Sequence, residues 1–85
     1  MSEAKPAVHT VLDLVGLKCP LPVLRTRKAL ADLSPGDLLD VQASDPLSAI
    51  DIPHVLHQLG DTLVAQRTQG EVLYFTIRKG GGSAQ

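Results

Sequence analysis

The side chains best able to act as nucleophiles or bases in this chain are Cys19, its only cysteine, and three histidines, His9, His54 and His57. Cys19 follows Lys18 and stands directly before Pro20, with Pro22 two positions on. A residue before proline is pushed out of the helical region into extended geometry, which is the backbone state of a helix N-cap. The pattern therefore predicts Cys19 as an N-cap and Pro20 as the first helical residue. A sulfur placed there faces the positive end of the helix dipole, and Lys18 adds a cation, so the thiolate is favoured. Pro20 and Pro22 have no N–H, which leaves Leu21 and Val23 as donors in that first turn. Such a site stabilises an anion moderately and is not a phosphate or oxyanion cradle. The two prolines hold the sulfur at a fixed, protruding place, a geometry suited to handing a sulfur atom between proteins. The alternative is a buried cysteine acting as a small hydrophobe. The helix-start position and the adjacent lysine favour the reactive thiol.

Other chemistry is less well supported. A Cys–His pair needs a base within hydrogen-bond reach of the sulfur. His54 and His57 fall beside the apolar stripe of their helix and read as solvent-facing. Their H-x-x-H spacing lacks a third and fourth ligand, so no metal site is expected. Asp45 and Asp51 read as capping groups, the alternative being that one contacts a partner or tunes the cysteine site. Arg25, Arg27 and Lys28 form either a solvated helix face or a basic docking surface, with Leu21 and Leu24 as apolar anchors. Such a surface could meet an acidic protein or an RNA backbone. With Tyr74 and Phe75 as the only aromatics, base stacking is poorly served and protein docking is the first expectation.

These residues need a scaffold, and the chain is long enough for one small domain. It has 85 residues, 44% hydrophobic and 20% charged, the composition of a folded rather than a disordered chain. Eight Lys and Arg oppose nine Asp and Glu, so overall charge does not drive binding to nucleic acid or membrane. No apolar run approaches the roughly 20 residues of a membrane span. The stretch MSEAKPAVHT lacks the apolar core of a secretory signal. One cysteine builds no internal disulfide framework, and the cytoplasm is the expected compartment.

Along the chain, a first strand is expected over about 9–15, then a helix after Pro20 whose Val23, Thr26, Leu30 and Leu33 share one side. Arg25, Lys28 and Asp32 lie opposite, as does Leu21, which is expected to be exposed. "SPGD" at 34–37 stops the helix. A second strand follows, with Leu39, Val41 and Ala43 on one face. Asp45 and Pro46 resemble an N-cap and first helical residue. Pro53, tolerated only in a first turn, moves the regular second helix to begin near 48–51. Ile52, Val55, Leu56 and Leu59 are spaced for burial, and Gly60 closes the helix. Two alternating segments around "QG" form a terminal hairpin, with Leu73, Phe75 and Ile77 facing the core and Val72, Tyr74, Thr76 and Arg78 facing away. The order β-α-β-α-β-β predicts an α+β fold: a two-layer sandwich with a four-stranded mixed sheet and both helices on one face. The domain is expected over 9–79, between a loose start at 1–8 and a flexible tail at 80–85.

Together, "LDLVGLKCPLPVLRTRKAL", "PGDLLDVQASDP", "DIPHVLHQLG" and "FTIRKGG" resemble the TusA/SirA family of small sulfur carriers, from about Thr10 to Gly81. The C-P-x-P signature falls at Cys19, Pro20, Leu21 and Pro22. The resemblance implies a fold similar to the C-terminal domain of bacterial translation initiation factor three. It implies that Cys19 accepts sulfane sulfur as a persulfide from a cysteine desulfurase and passes it to a downstream relay protein. No other cofactor is implied, no independent turnover is expected, and the protein is expected to be a monomer when free. In the best-known route the sulfur goes towards 2-thiouridine in tRNA, with any RNA contact indirect. Relatives supply molybdenum-cofactor or sulfur-oxidation pathways. Arg27 and Asp45 match positions on the desulfurase-facing surface. Leu21 stands where some members carry an acidic residue, and this bears on which acceptor is met. Two other classes compete with the carrier: a non-catalytic binding or regulatory module using the basic helix, and a redox-sensing thiol, which would lack a resolving cysteine within the chain.

Overall fold

A computed structural model describes residues 8–80. Four strands and two helices follow one another as β1 (His9–Leu14), α1 (Leu21–Ala31), β2 (Leu38–Ala43), α2 (Ser48–Leu59), β3 (Thr62–Gln69) and β4 (Val72–Arg78). The sheet order is β1-β2-β4-β3. β1 and β2 run parallel, with Leu14 opposite Ala43, and β4 is antiparallel to both β2 and β3. This is the expected mixed sheet. Its period-two pattern sends Leu14, Leu39, Val41, Ala43, Phe75 and Ile77 to one face, where they meet Leu30 of α1 and Ile52 and Leu56 of α2 in a single buried cluster. The opposite face carries the His9–Asp40 contact at 2.6 Å and the Arg67 guanidinium 4.0 Å above the Tyr74 ring.

Helix α1 buries Pro22, Thr26 and Leu30, spaced four apart on one stripe. Thr26 is wholly buried and its hydroxyl has no hydrogen-bond partner. Helix α2 buries Ser48, Ile52, Val55 and Leu56 and ends at Gly60, whose φ of 80° is the left-handed state a C-cap glycine supplies without strain. Leu59 departs from its expectation: the last residue of α2, it is 37% exposed. The rule that confines proline to a first turn is also overridden. Pro53 is the sixth residue of α2, one turn in. It removes one backbone hydrogen bond, yet the burial of Ile52, Val55 and Leu56 holds the helix through it.

The start of α1 differs from the sequence reading; α2 begins at Ser48, within the expected 48–51, and only its cap differs. The residue at the α1 cap is Pro20, with φ −97° and ψ 12°, and the first helical residue is Leu21. The Cys19–Pro20 peptide is cis, and Leu21 N–H donates to the Lys18 carbonyl at 2.8 Å. Cys19 and Pro20 thus form the corner of a tight turn that precedes the helix. At α2, Leu47 occupies the cap and Pro46 lies before the helix. Asp45 belongs to the preceding turn, in which Ser48 N–H donates to the Asp45 carbonyl at 2.9 Å.

The expected loose start and flexible tail fall, apart from Val8 and Gly80, outside the described residues. Those two are held by backbone contacts. Val8 N–H donates to Asp37 Oδ1 at 3.0 Å and its carbonyl accepts from Leu38. Gly80 N–H donates to Asp61 Oδ1 at 2.7 Å. A Cβ on Gly80 would collide with the Gly60 carbonyl, so the end of β4 packs flush on the α2–β3 turn only because that residue is glycine. Among the described residues no helix is long and apolar enough to cross a membrane.

Candidate functional site

Parallel pairing of β1 with β2 decides where the chemistry sits. The connections to α1 and α2 leave the carboxyl ends of adjacent strands, so Cys19 on the first and Asp45 on the second become neighbours. Gly16, with φ 92°, turns the chain out of β1, and its N–H donates to Ser44 Oγ at 2.8 Å. Cys19 N–H then donates to Asp45 Oδ2 at 2.6 Å, and Leu47 N–H donates to Asp45 Oδ1 at 3.1 Å. One buried carboxylate therefore ties the cysteine loop to the start of α2. The Cys19 bond, then the Leu47 bond, hold the Asp45 carboxyl below the usual carboxylate range against the opposing effect of burial, and the Lys18 charge adds to them. Asp45 is a loop clamp, not the predicted helix cap.

The Cys19 sulfur is exposed. It opens on a shallow cavity of about 250 Å³ between α1 and α2, bordered by Val23, Arg27, Asp51, His54 and Gln58. Its Sγ–H donates to Asp51 Oδ2 at 3.7 Å. The expected depressed thiol pKa is reversed. Partial loss of hydration pushes the thiol up. The charge of Asp51, its acceptance of the thiol hydrogen and the charge of Asp45 act in the same direction. The physical reason lies in the turn: Leu21 N–H bonds the Lys18 carbonyl and is not offered to the sulfur. Lys18 acts on Asp45. Partial desolvation, joined by two carboxylates from α2 and its approach, outweighs the helix dipole.

The other predicted residues divide clearly. Pro22 is buried and anchors α1, whereas Lys18, Pro20, Leu21, Leu24, Arg25, Arg27 and Lys28 are exposed. Arg27 reaches the cavity; Arg25 and Lys28 do not border it. Asp51, read from sequence as a cap or a tuning group, is the carboxylate on the thiol. His54 is exposed, as expected, and also borders this cavity. Sequence reasoning also missed three apolar positions. Val15, Leu47 and Ile50 are 47%, 51% and 69% exposed, beside Leu21 at 40% and Leu24 at 53%. All five lie at the end of β1 or at the starts of the two helices. The signal was present in Ile50, which lies outside the Ile52–Val55–Leu56 stripe. Among the described residues no cluster of His, Cys, Asp and Glu could hold a metal ion.

Comparison with known proteins agrees with this architecture. A crystal structure of a SirA-like protein from Desulfitobacterium hafniense superposes with a TM-score of 0.74 at 27% sequence identity, covering 84% of this chain and 97% of that one. The family model described as Sulfurtransferase TusA matches residues 10–79, which includes both helices, all of the sheet except His9 at the β1 edge, and the turn bearing Cys19. The chain belongs to the TusA sulfurtransferase family.

Proposed function

We propose that this protein is a persulfide carrier that takes sulfane sulfur onto Cys19 from a cysteine desulfurase and hands it to an acceptor protein. The observation that carries the reading is an exposed lone sulfur at a proline-bracketed turn, opening on a shallow cavity between the two helices. The cavity beside it is shallow and open, which fits access by another protein's cysteine better than enclosure of a small substrate.

In the accepting step the Cys19 sulfur, as thiolate, attacks the terminal sulfur of the donor's persulfide. An S–S bond forms at Sγ, the donor's own S–S bond breaks, and the donor leaves as a thiolate that takes up the proton Cys19 released. The exchange needs no outside oxidant or reductant, and the product remains on the reversible side of cysteine chemistry. Transfer to the acceptor repeats the exchange with the roles reversed. The chain's own residues position the sulfur: Asp45 holds the loop through the Cys19 N–H, and Asp51 accepts a hydrogen bond from the thiol.

The test is incubation with a cysteine desulfurase and L-cysteine, followed by intact mass. The expected result is a gain of one sulfur that disappears on reduction and in Cys19→Ser; no such gain overturns the reading. We assign the sulfur to tRNA 2-thiouridine formation. The check is restoration of thiolated tRNA in cells lacking their own carrier, measured by nucleoside mass spectrometry. Failure there with successful loading at Cys19 redirects the proposal to molybdenum-cofactor or sulfur-oxidation acceptors.

A further inference from the structure

We propose that Asp51 is a positioning residue that keeps the Cys19 sulfur protonated and weakly nucleophilic while the carrier is empty. The inference deepens the reading of Cys19 as the working sulfur, but its test does not pass through a sulfur donor.

The geometry is specific. Asp51 stands in the first turns of α2, half-buried, on the wall of the cavity opposite Arg27 of α1. Its Oδ2 lies 3.7 Å from Sγ and accepts the thiol hydrogen. The charged and titratable groups around that sulfur are Lys18 from its own loop, Asp45 from the β2–α2 connection, Arg27 from α1, and Asp51 and His54 from α2. Asp45 is committed to the Cys19 and Leu47 N–H groups. No Lys or Arg among the described residues forms an ion pair with Asp51. The nearest charge acting on the sulfur is therefore an unneutralised carboxylate, which stabilises the thiol by hydrogen bonding and repels the thiolate.

That arrangement fits a carrier. An exposed cysteine with a low pKa is the kind most readily oxidised or capped between transfers. Asp51 suppresses that fate without burying the sulfur. Once loaded, the transferable sulfur lies one bond farther from the carboxylate, so the restraint falls mainly on the empty state.

The experiment is the rate of iodoacetamide alkylation of the full chain from neutral to alkaline pH, for the wild type, Asp51→Asn and Asp32→Asn. Asp51→Asn should move the midpoint of the profile to lower pH and raise the rate at neutral pH about three- to tenfold, one unit of midpoint corresponding to about tenfold. Asp32→Asn removes the same charge at the far end of α1 and should leave the profile in place. Circular dichroism checks the fold; if the asparagine variant does not fold, Asp51→Ser carries the same expectation. Superposable profiles for wild type and the Asp51 variant overturn the proposal, as does equal acceleration by Asp32→Asn. A shifted profile in a chain that gains no sulfur from a desulfurase would overturn the proposed function and leave the role of Asp51 standing.

Discussion

At the scale of single residues, two carboxylates on one helix approach take different parts at one sulfur. Asp45 is buried and bonded to two backbone N–H groups, whereas Asp51 is half-buried and faces the thiol. Cys19→Ser should retain the wild-type melting temperature, because the side chain is exposed, while carrying no sulfur in the mass assay. Asp45 has the opposite profile. Its folded pKa is depressed, so its contribution to stability is present above the ordinary carboxylate pKa and is lost as pH falls through the lower folded value. Asp45→Asn should lower the melting temperature at neutral pH, and that difference should shrink in acid, where the wild-type carboxylate is protonated too. Melting both proteins across acidic pH checks the sign; a gap that widens in acid refutes it.

At the scale of elements, α1 is held by a stripe that includes a polar atom without a partner. Thr26 lies in the core with its hydroxyl unsatisfied. Thr26→Val keeps the branched shape and removes the desolvation cost of that hydroxyl, and should stabilise the protein by about 1 kcal/mol. For a domain of this size that corresponds to a rise of roughly 4–8 °C in the calorimetric midpoint; a fall would show that the hydroxyl is satisfied. The strands and helices themselves were legible because amphipathic periods of 2 and 3.6 follow from which face is buried. The start of α1 and the cap of α2 were not. Capping rules place Cys19 and Asp45 as N-caps, but each connection must also meet its neighbour. The Leu21-to-Lys18 bond moves the start of α1, and the Asp45 clamp the cap of α2, further along the chain.

At the scale of the whole molecule, the sheet order puts the loops after β1 and β2 side by side, and exposed aliphatic residues occur at the β1 end and at both helix starts. Ile50 is the most exposed of these residues and lies outside the core stripe. Ile50→Asp should leave thermal stability nearly unchanged and weaken binding to the sulfur donor or acceptor by about tenfold, as expected for an interface anchor of 1–2 kcal/mol. Titration calorimetry against the desulfurase and the acceptor distinguishes which partner uses it; unaltered affinity for both would remove Ile50 from the docking surface.

The amino-acid sequence by itself determined the element order, the inward face of each strand, the burial of Thr26 and Leu30, and the place of the single cysteine in the turn before the first helix. Local period, proline chemistry and residue type decide these, and none requires knowledge of distant neighbours. The electrostatic state of the sulfur was decided only by tertiary structure. Helix-start chemistry and Lys18 argue for a thiolate, whereas Asp51, 32 positions along the chain, argues for a thiol. The thiol prevails because folding strips the sulfur of part of its hydration and sets a carboxylate oxygen 3.7 Å from Sγ, while the donor expected to favour the anion is bonded within its own turn. Charge interactions weaken with distance through space, and separation along the chain says little about that distance.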